Sequence, residues 1–301
     1  MSSTRLKILL QYLIPQHTLS RLMGKLGNCK ITWIKNNFIQ WFVQHYNVDM
    51  NTAIESNPLN YADFNSFFTR KLLATARPID SRANSIISPA DGIISQIGLL
   101  RDGLLLQAKG FDFDATRLLG GDKKYTAAFN NGNFATIYLA PRDYHCVHMP
   151  LEGVLKEMIY VPGQLFSVNN ATADHVPNLF ARNERVISIF ETSAGPMAIV
   201  LVGAMIVASI HTVWAGSVAP NRKNQIQRWN YADQNIKLAK GAEMGHFQMG
   251  STVIILFGKD QIQWANNINA GKTVRFGEIL GEQTAVHGKP ANVCYSETYI
   301  E

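Results

Sequence analysis

The hydrophobic rhythm of the chain changes near residue 77. Before that point apolar residues recur at helical spacing. Ile34, Phe38, Trp41 and Phe42 fall at i, i+4, i+7 and i+8, one face of a helix. Leu6, Leu9, Leu10 and Leu13 make a shorter stripe upstream, and Pro15 separates these two helical stretches. Tyr61–Leu72 predicts one more helix, with Phe64, Phe67 and Phe68 turned inward. From Arg77 onward, short β-branched runs alternate with Gly, Pro, Asn and Asp. They are Gly92–Ser95, Phe134–Leu139, Val186–Phe190, Met197–Val202 and Val253–Phe257. The pattern predicts an α+β protein: N-terminal amphipathic helices followed by a β-rich body. There is no βαβ alternation, dinucleotide fingerprint, P-loop or internal repeat.

Composition narrows this. The 301 residues are 47% hydrophobic and 17% charged, as a folded globular protein requires. No stretch reaches the roughly 20 apolar residues of a spanning helix. Pro196–Ile210 comes nearest, and its β-branched content predicts buried strands instead. The N-terminus lacks the pattern of a signal peptide, and the scattered Cys29, Cys146 and Cys294 form no disulfide framework, which predicts a reduced, cytosolic setting. The net charge of +6 lies wholly in Met1–Val48. There Arg5, Lys7, Arg21, Lys25, Lys30 and Lys35 meet no Asp or Glu. A basic helix carrying Trp and Phe on its other face fits a membrane interface, cations at the headgroups and rings at headgroup depth. A helix packed on its own domain with a solvated basic rim gives the same pattern. Nucleic acid is the weakest partner, because the remainder offers no basic stripe or aromatic platform.

Three polar segments carry candidate chemistry. Gly245–Thr252 (GHFQMGST) runs straight into the apolar run Val253–Phe257. A serine after glycine at the mouth of a buried strand leaves the preceding carbonyl open to attack by the chain itself. Alone, Gly-Ser-Thr is ordinary turn chemistry. In Ser88-Pro89-Ala90-Asp91-Gly92, an Asp before Gly is also a common turn residue. In Tyr138–Pro150, His145 and His148 flank Cys146 in a loop stiffened by aromatic and proline residues. A zinc site needs a second ligand pair, which the sequence lacks, so proton transfer suits the two imidazoles better. An Asp, a His and a Ser are the parts of a nucleophilic triad.

In this order and spacing, Ser88–Gly92, Tyr144–Pro150 and Met249–Thr252 closely resemble the phosphatidylserine decarboxylases of the bacterial, membrane-associated type. The resemblance extends to Arg77–Asp80, Gly163–Asn169, Phe180–Val186, Val202–Val207 and Thr212–Gly216, and runs from the N-terminal helices to about Gly281. Met249 replaces a frequent Leu, Cys146 varies between the histidines, and Ala285–Glu301 matches no pattern.

The resemblance implies a proenzyme that cuts itself between Gly250 and Ser251, giving a β chain of residues 1–250 and an α chain of residues 251–301. Ser251 becomes a covalent pyruvoyl group, with no metal. Asp91 and His148 match the positions that activate the serine. His145 matches the histidine that assists decarboxylation, and Tyr138 is a candidate substrate contact. The pyruvoyl group forms a Schiff base with phosphatidylserine and releases CO2, yielding phosphatidylethanolamine. The implied partners are phosphatidylserine in an anionic membrane, the α and β chains of one precursor, and a second copy in a homodimer. The implied location is peripheral, on the cytoplasmic face of the cell membrane. Residues 1–50 would be the membrane-contact region and 51–301 a single β-rich catalytic domain. Two rival classes predict an intact chain. A lipid-directed serine hydrolase using the same triad lacks the Gly-x-Ser-x-Gly elbow. A non-catalytic membrane-binding β domain would carry no reactive carbonyl.

Overall fold

A computed structural model describes residues 3–108, 111–205, 209–221, 224–248 and 251–284. The chain starts as a helical head: α1 (Ser3–Leu13), α2 (Gln16–Gly27), α3 (Thr32–Tyr46) and the short α4 (Phe64–Phe68). The stretch before residue 50 thus forms three helices, where the apolar pattern with Pro15 predicts two. The further break follows Gly27, where α2 meets α4. A Cβ at Gly27 would lie 2.7 Å from Asn65 Oδ1, and Asn65 Nδ2 donates to Asn28 Oδ1 at 2.9 Å. The helix predicted over Tyr61–Leu72 is only five residues long. The Asp63 side chain caps its start by accepting from Ser66 N at 2.8 Å, and Leu72 leaves the helix to bridge Ala53.

The inner face of the head is the predicted aromatic one, slightly rotated. Ile39 and Phe42 pack on Phe64, Phe67 and Phe68, whereas Trp41 stands 51% exposed. Lys35 departs from the expected basic rim. It is buried, and its Nζ donates to Leu59 O at 2.8 Å and Tyr61 O at 2.7 Å, tying α3 to the segment before α4. No described helix is long and apolar enough to cross a membrane.

The body is β-rich, as the punctuated β-branched runs predict. Its strands are β1 (Ser85–Ile87), β2 (Gly92–Leu99), β3 (Leu104–Ala108), β4 (Phe111–Asp114), β5 (Asn133–Leu139) and β6 (Cys146–His148). Next come β7 (Gly153–Val161), β8 (Arg185–Thr192), β9 (Gly195–Val202), β10 (Ser209–Thr212), β11 (Gly216–Ala219) and β12 (Gln227–Asn230). The last are β13 (Lys237–Leu238), β14 (Glu243–Gln248), β15 (Ser251–Phe257), β16 (Ile262–Trp264), β17 (Thr273–Val274) and β18 (Ile279–Gln283). The main sheet runs β12-β7-β8-β9-β15-β5-β2-β17, with β13 also on β7. A second sheet has the order β11-β10-β14-β6, a third β1-β18-β16, and β3 pairs with β4. Pro196–Ile210 supplies β9 and the start of β10, strands as predicted, with residues 206–208 outside the described set.

The main sheet is buried on both faces, so its central strands read as continuous apolar runs rather than alternating ones. Along β15, Val253 and Ile255 join one core cluster while Ile254 and Leu256 join the other. The first cluster is shared with the second sheet through Val147, Ile210, Met244 and Phe247. The chain passes from that sheet to the main one between Gln248 and Ser251.

Candidate active site

The start of β2, the end of β5 and the start of β15 lie side by side. Leu139 pairs with Ser251, and Tyr138 sits between Ile93 on one side and Thr252 on the other. Asp91, just before β2, and Ser251, opening β15, therefore flank the end of β5, two strand spacings or about 10 Å apart. The glycine after Asp91 has a packing reason beyond turn chemistry. A Cβ at Gly92 would lie 2.4 Å from the Tyr138 carbonyl oxygen.

Asp91 is buried and fully engaged. Arg77 Nε donates to its two oxygens at 2.9 and 3.1 Å, Arg77 Nη2 donates to Oδ2, and the Phe276 N–H donates to Oδ1 at 2.9 Å. His148 lies on the other side of Phe276, stacked on its ring at 3.7 Å. Its Nδ1 is 2.9 Å from Gly241 O, a carbonyl that can only accept, so the proton sits on Nδ1. Nε2 then carries the lone pair and accepts from the Tyr144 hydroxyl at 3.2 Å. Burial pushes the His148 pKa down, keeping the ring neutral.

His145 is wholly buried between the loop and the head. Its ring stacks on Phe68 at 4.1 Å, and Nε2 donates to Ala140 O at 3.0 Å. Nδ1 has no partner among the described residues. Burial, joined by the Arg70 guanidinium, pushes its pKa down to about 3. The site thus holds a neutral imidazole with an open lone pair in a dry setting.

Ser251 is also wholly buried, and its Oγ has no partner among the described residues. It is joined to the histidine loop through β14, since Phe247 N donates to His145 O at 3.1 Å. Four residues later the chain is at Ser251, at most about 14 Å away along the backbone. Gly250, the other half of the expected cleavage bond, lies outside the described residues, as does Met249.

The fold therefore gathers Asp91, His148 and Phe276 into one cluster and His145 beside the strand that leads to Ser251. It does not link Asp91, His148 and Ser251 by hydrogen bonds. The His145 and His148 rings face different partners, Phe68 and Phe276, and do not converge as a ligand pair. Tyr138 is one step out of register with Ser251, so the pleat turns it to the other face of the sheet. Cys146 is a buried thiol whose pKa burial pushes up to about 11, which makes it a poor nucleophile. Arg77, Phe276, Tyr144 and Gly241 all hold site groups, although no spacing rule points to them. Of these, Arg77 and Tyr144 lie in segments that carry the resemblance, Arg77–Asp80 and Tyr144–Pro150.

A 370 Å³ cleft lined by Lys71, Arg77, Tyr144, Glu243 and Phe276 opens onto His148. Three larger hollows, of 530, 570 and 510 Å³, contain none of the expected site residues.

Comparison with known proteins decides the family. The profile described as Phosphatidylserine decarboxylase matches residues 64–282, and a second, described as PSD, matches residues 6–47. The chain belongs to the phosphatidylserine decarboxylase family. A phosphatidylserine decarboxylase proenzyme of Ectopseudomonas mendocina (strain ymp) is 57% identical over 280 residues, covering 92% of this chain and 98% of the relative. The proenzyme of Azotobacter vinelandii is 53% identical over 281 residues, covering 92% and 98%. That of Pseudomonas putida (strain GB-1) is 53% identical over 282 residues, covering 93% and 98%. Among the described residues, no three His, Cys, Asp or Glu side chains are grouped to hold a metal ion.

Two outcomes are expected. Gly92→Ala should force β2 away from β5 and cost at least about 2 kcal/mol of stability, read by urea denaturation; a neutral effect would refute the close approach. The second concerns pH. The unfolded chain takes up protons on its imidazoles near pH ~6.5, while the folded chain keeps His145 and His148 neutral below that. Folding then releases protons, so acid favours the unfolded chain. For His145, whose folded pKa is about 3, stability should fall from pH ~6.5 toward 4 by up to about 1.4 kcal/mol per pH unit, and the lowered pKa of His148 acts in the same direction. His145→Gln should flatten that slope, and an unchanged slope would show that His145 titrates normally.

Proposed function

We propose that this chain is a phosphatidylserine decarboxylase made as a self-cleaving proenzyme, yielding phosphatidylethanolamine and CO2. The observation that supports this reading, beside family membership, is Ser251: a buried hydroxyl without a partner among the described residues, opening the central strand beside the Asp91 and histidine segments.

In maturation, the Ser251 Oγ attacks the Gly250 carbonyl carbon. The C–O bond forms, the C–N bond breaks, and the hydroxyl proton passes to a base while the freed nitrogen gains one. His148 is the base we assign, since its Nδ1 bond to Gly241 O leaves the Nε2 lone pair available once Tyr144 yields it. Asp91, anchored by Arg77 and Phe276 N, supports the same cluster. Loss of the Gly250 carboxylate from the serine β-carbon, followed by hydrolysis with release of ammonia, leaves the pyruvoyl group at residue 251. That group supplies an electrophilic carbonyl for the substrate amine and an electron sink for loss of CO2. The unpartnered Nδ1 of His145 is the atom we assign to hold and return the proton at the reacting carbon. Tyr138 stays proposed as a substrate contact beside residue 251 along the β5–β15 ladder, although its side chain leaves the sheet on the face opposite to that of Ser251.

The substrate is a bilayer lipid, and the head is built to meet one. Leu13, Leu22, Ile31, Trp33, Trp41 and Ile54 are more than half exposed there, and Arg21, Lys25 and Lys30 are exposed among them. Trp33, Asn37 and Trp41 share the outer face of α3, opposite Ile39 and Phe42. Residues 1–50 are accordingly proposed as the membrane-contact region and 51–301 as the catalytic domain. The proposed enzyme is peripheral on the cytoplasmic face of the cell membrane, as a homodimer of α- and β-chain pairs.

Intact-mass analysis tests the maturation step. Wild-type protein should give fragments 1–250 and 251–301, the smaller blocked at its N-terminus and trapped by borohydride with amine. Ser251→Ala should remain one chain, and His148→Ala and Asp91→Ala should cut slowly or not at all. His145→Ala should cut yet lose at least about 100-fold in decarboxylation. A His145→Ala chain that stays whole would reverse the division of roles. For the head, removal of residues 1–45 should weaken co-sedimentation with anionic vesicles, and unchanged sedimentation would refute the membrane assignment.

A further inference from the structure

Two arginines, Arg70 and Arg185, are buried in the body and its junction with the head, Arg77 is half-buried, and the three are satisfied differently. Arg185 is spanned by backbone: its nitrogens donate to Leu118 O, Ala181 O and Asn183 O at 2.8 Å, and to Arg117 O. Arg77 is matched by Asp91. Arg70 is only 4% exposed and has neither kind of partner set. Its Nη2 donates to Arg142 O at 3.3 Å, beyond the usual range for such a bond, and its guanidinium carbon lies 5.6 Å from the Phe67 ring centroid. Nε and Nη1 have no hydrogen-bond partner among the described residues, and no described carboxylate lies within ion-pair distance. A buried cation in this condition is costly unless an anion completes it.

Its place identifies the anion. Arg70 follows α4, whose Phe68 stacks on His145, and among the described residues its hydrogen bond to the body is to Arg142 O, in the same loop as that histidine. Its charge also helps to keep the His145 ring neutral. Resting on the proposed function, we infer that Arg70 is the subsite for the phosphodiester of the phospholipid headgroup. The departing carboxylate is the other anion of that headgroup. Binding it to a guanidinium would stabilise the ground state and oppose loss of CO2. The phosphodiester keeps its charge throughout the reaction, so a guanidinium can hold it equally in substrate and transition state. Such uniform binding sets KM and leaves kcat alone.

The test uses the mature enzyme, with cutting verified by intact mass, in detergent–lipid mixed micelles. Arg70→Met should raise the KM for phosphatidylserine by about 30-fold, the range expected for loss of a charge-assisted bond, with a smaller change in kcat because removal of the charge also acts on His145. The same variant should weaken inhibition by glycerophosphoethanolamine, which has the phosphodiester and no carboxylate, by a similar factor. Inhibition by L-serine, which has the carboxylate and no phosphodiester, should hardly change. Arg70→Lys should recover part of the loss, since it restores charge without the fork. A packing role alone would leave both inhibition constants where they were, and that result overturns the assignment. Weakening of serine inhibition instead overturns it in favour of the carboxylate. Should Arg70→Met fail to mature, wild-type enzyme still decides. Glycerophosphoethanolamine must then inhibit more strongly than ethanolamine, and equal inhibition overturns the proposal. Wild-type protein that neither cuts nor decarboxylates would instead count against the proposed function itself.

Discussion

Strand β15 is laddered on both sides, by seven residue pairs to β5 and six to β9, and every one of its residues is buried. It also begins at the serine that the proposed maturation consumes. A cut at that edge therefore frees an end without freeing a chain. Residues beyond it supply β16 and β18 to the third sheet and β17 to the edge of the main sheet against β2. Releasing the smaller fragment would strip the centre from the sheet and expose both core clusters, so the two products stay one body. The new N-terminus is held where the fold already placed Ser251.

The same burial determines what the histidines can do. In a dry setting a charged imidazole is penalised, and both rings are held neutral. They differ in what their nitrogens touch. His148 is fixed at both, by Gly241 O and the Tyr144 hydroxyl, and its ring is clamped on Phe276. His145 is fixed at one nitrogen only. A ring bound at both ends suits a single event in a set geometry. A ring with one open lone pair suits repeated uptake and return of a proton, and the division of roles implied by the resemblance has that physical counterpart.

Much of this was legible in the chain. Apolar runs such as Val253–Phe257 and Met197–Val202 are strands because two-sided burial leaves no polar alternation to misread. Short-range rules failed where a distant residue decided the local outcome. The helix predicted over Tyr61–Leu72 ignored the pull of Ala53 on Leu72. Lys35 looked like part of a basic rim, because the two carbonyls that bury it belong to residues more than 20 positions away. Asp91, His145, His148 and Ser251 were singled out as candidates from residue type and motif. Phe276 was not: it reaches Asp91 across 185 residues, and no periodicity encodes such a meeting.

The least self-sufficient element sits at the most sensitive place. A five-residue helix has almost no stability of its own, since nucleation alone costs more than so few bonds return. The position of α4 is therefore set by what it packs against. On one side are Ile39 and Phe42 of α3; on the other is the ring of His145 under Phe68. Just beyond it, Lys71 pairs with Glu243 on β14, the strand that runs on to Ser251. Head and body thus meet at His145, besides the contacts of Gln16 and Gln11 with Leu165 and Ser167. Any shift of α3 has a direct mechanical path to His145, whose Nδ1 has no partner among the described residues, and the orientation of that ring depends on aromatic packing from outside the sheet.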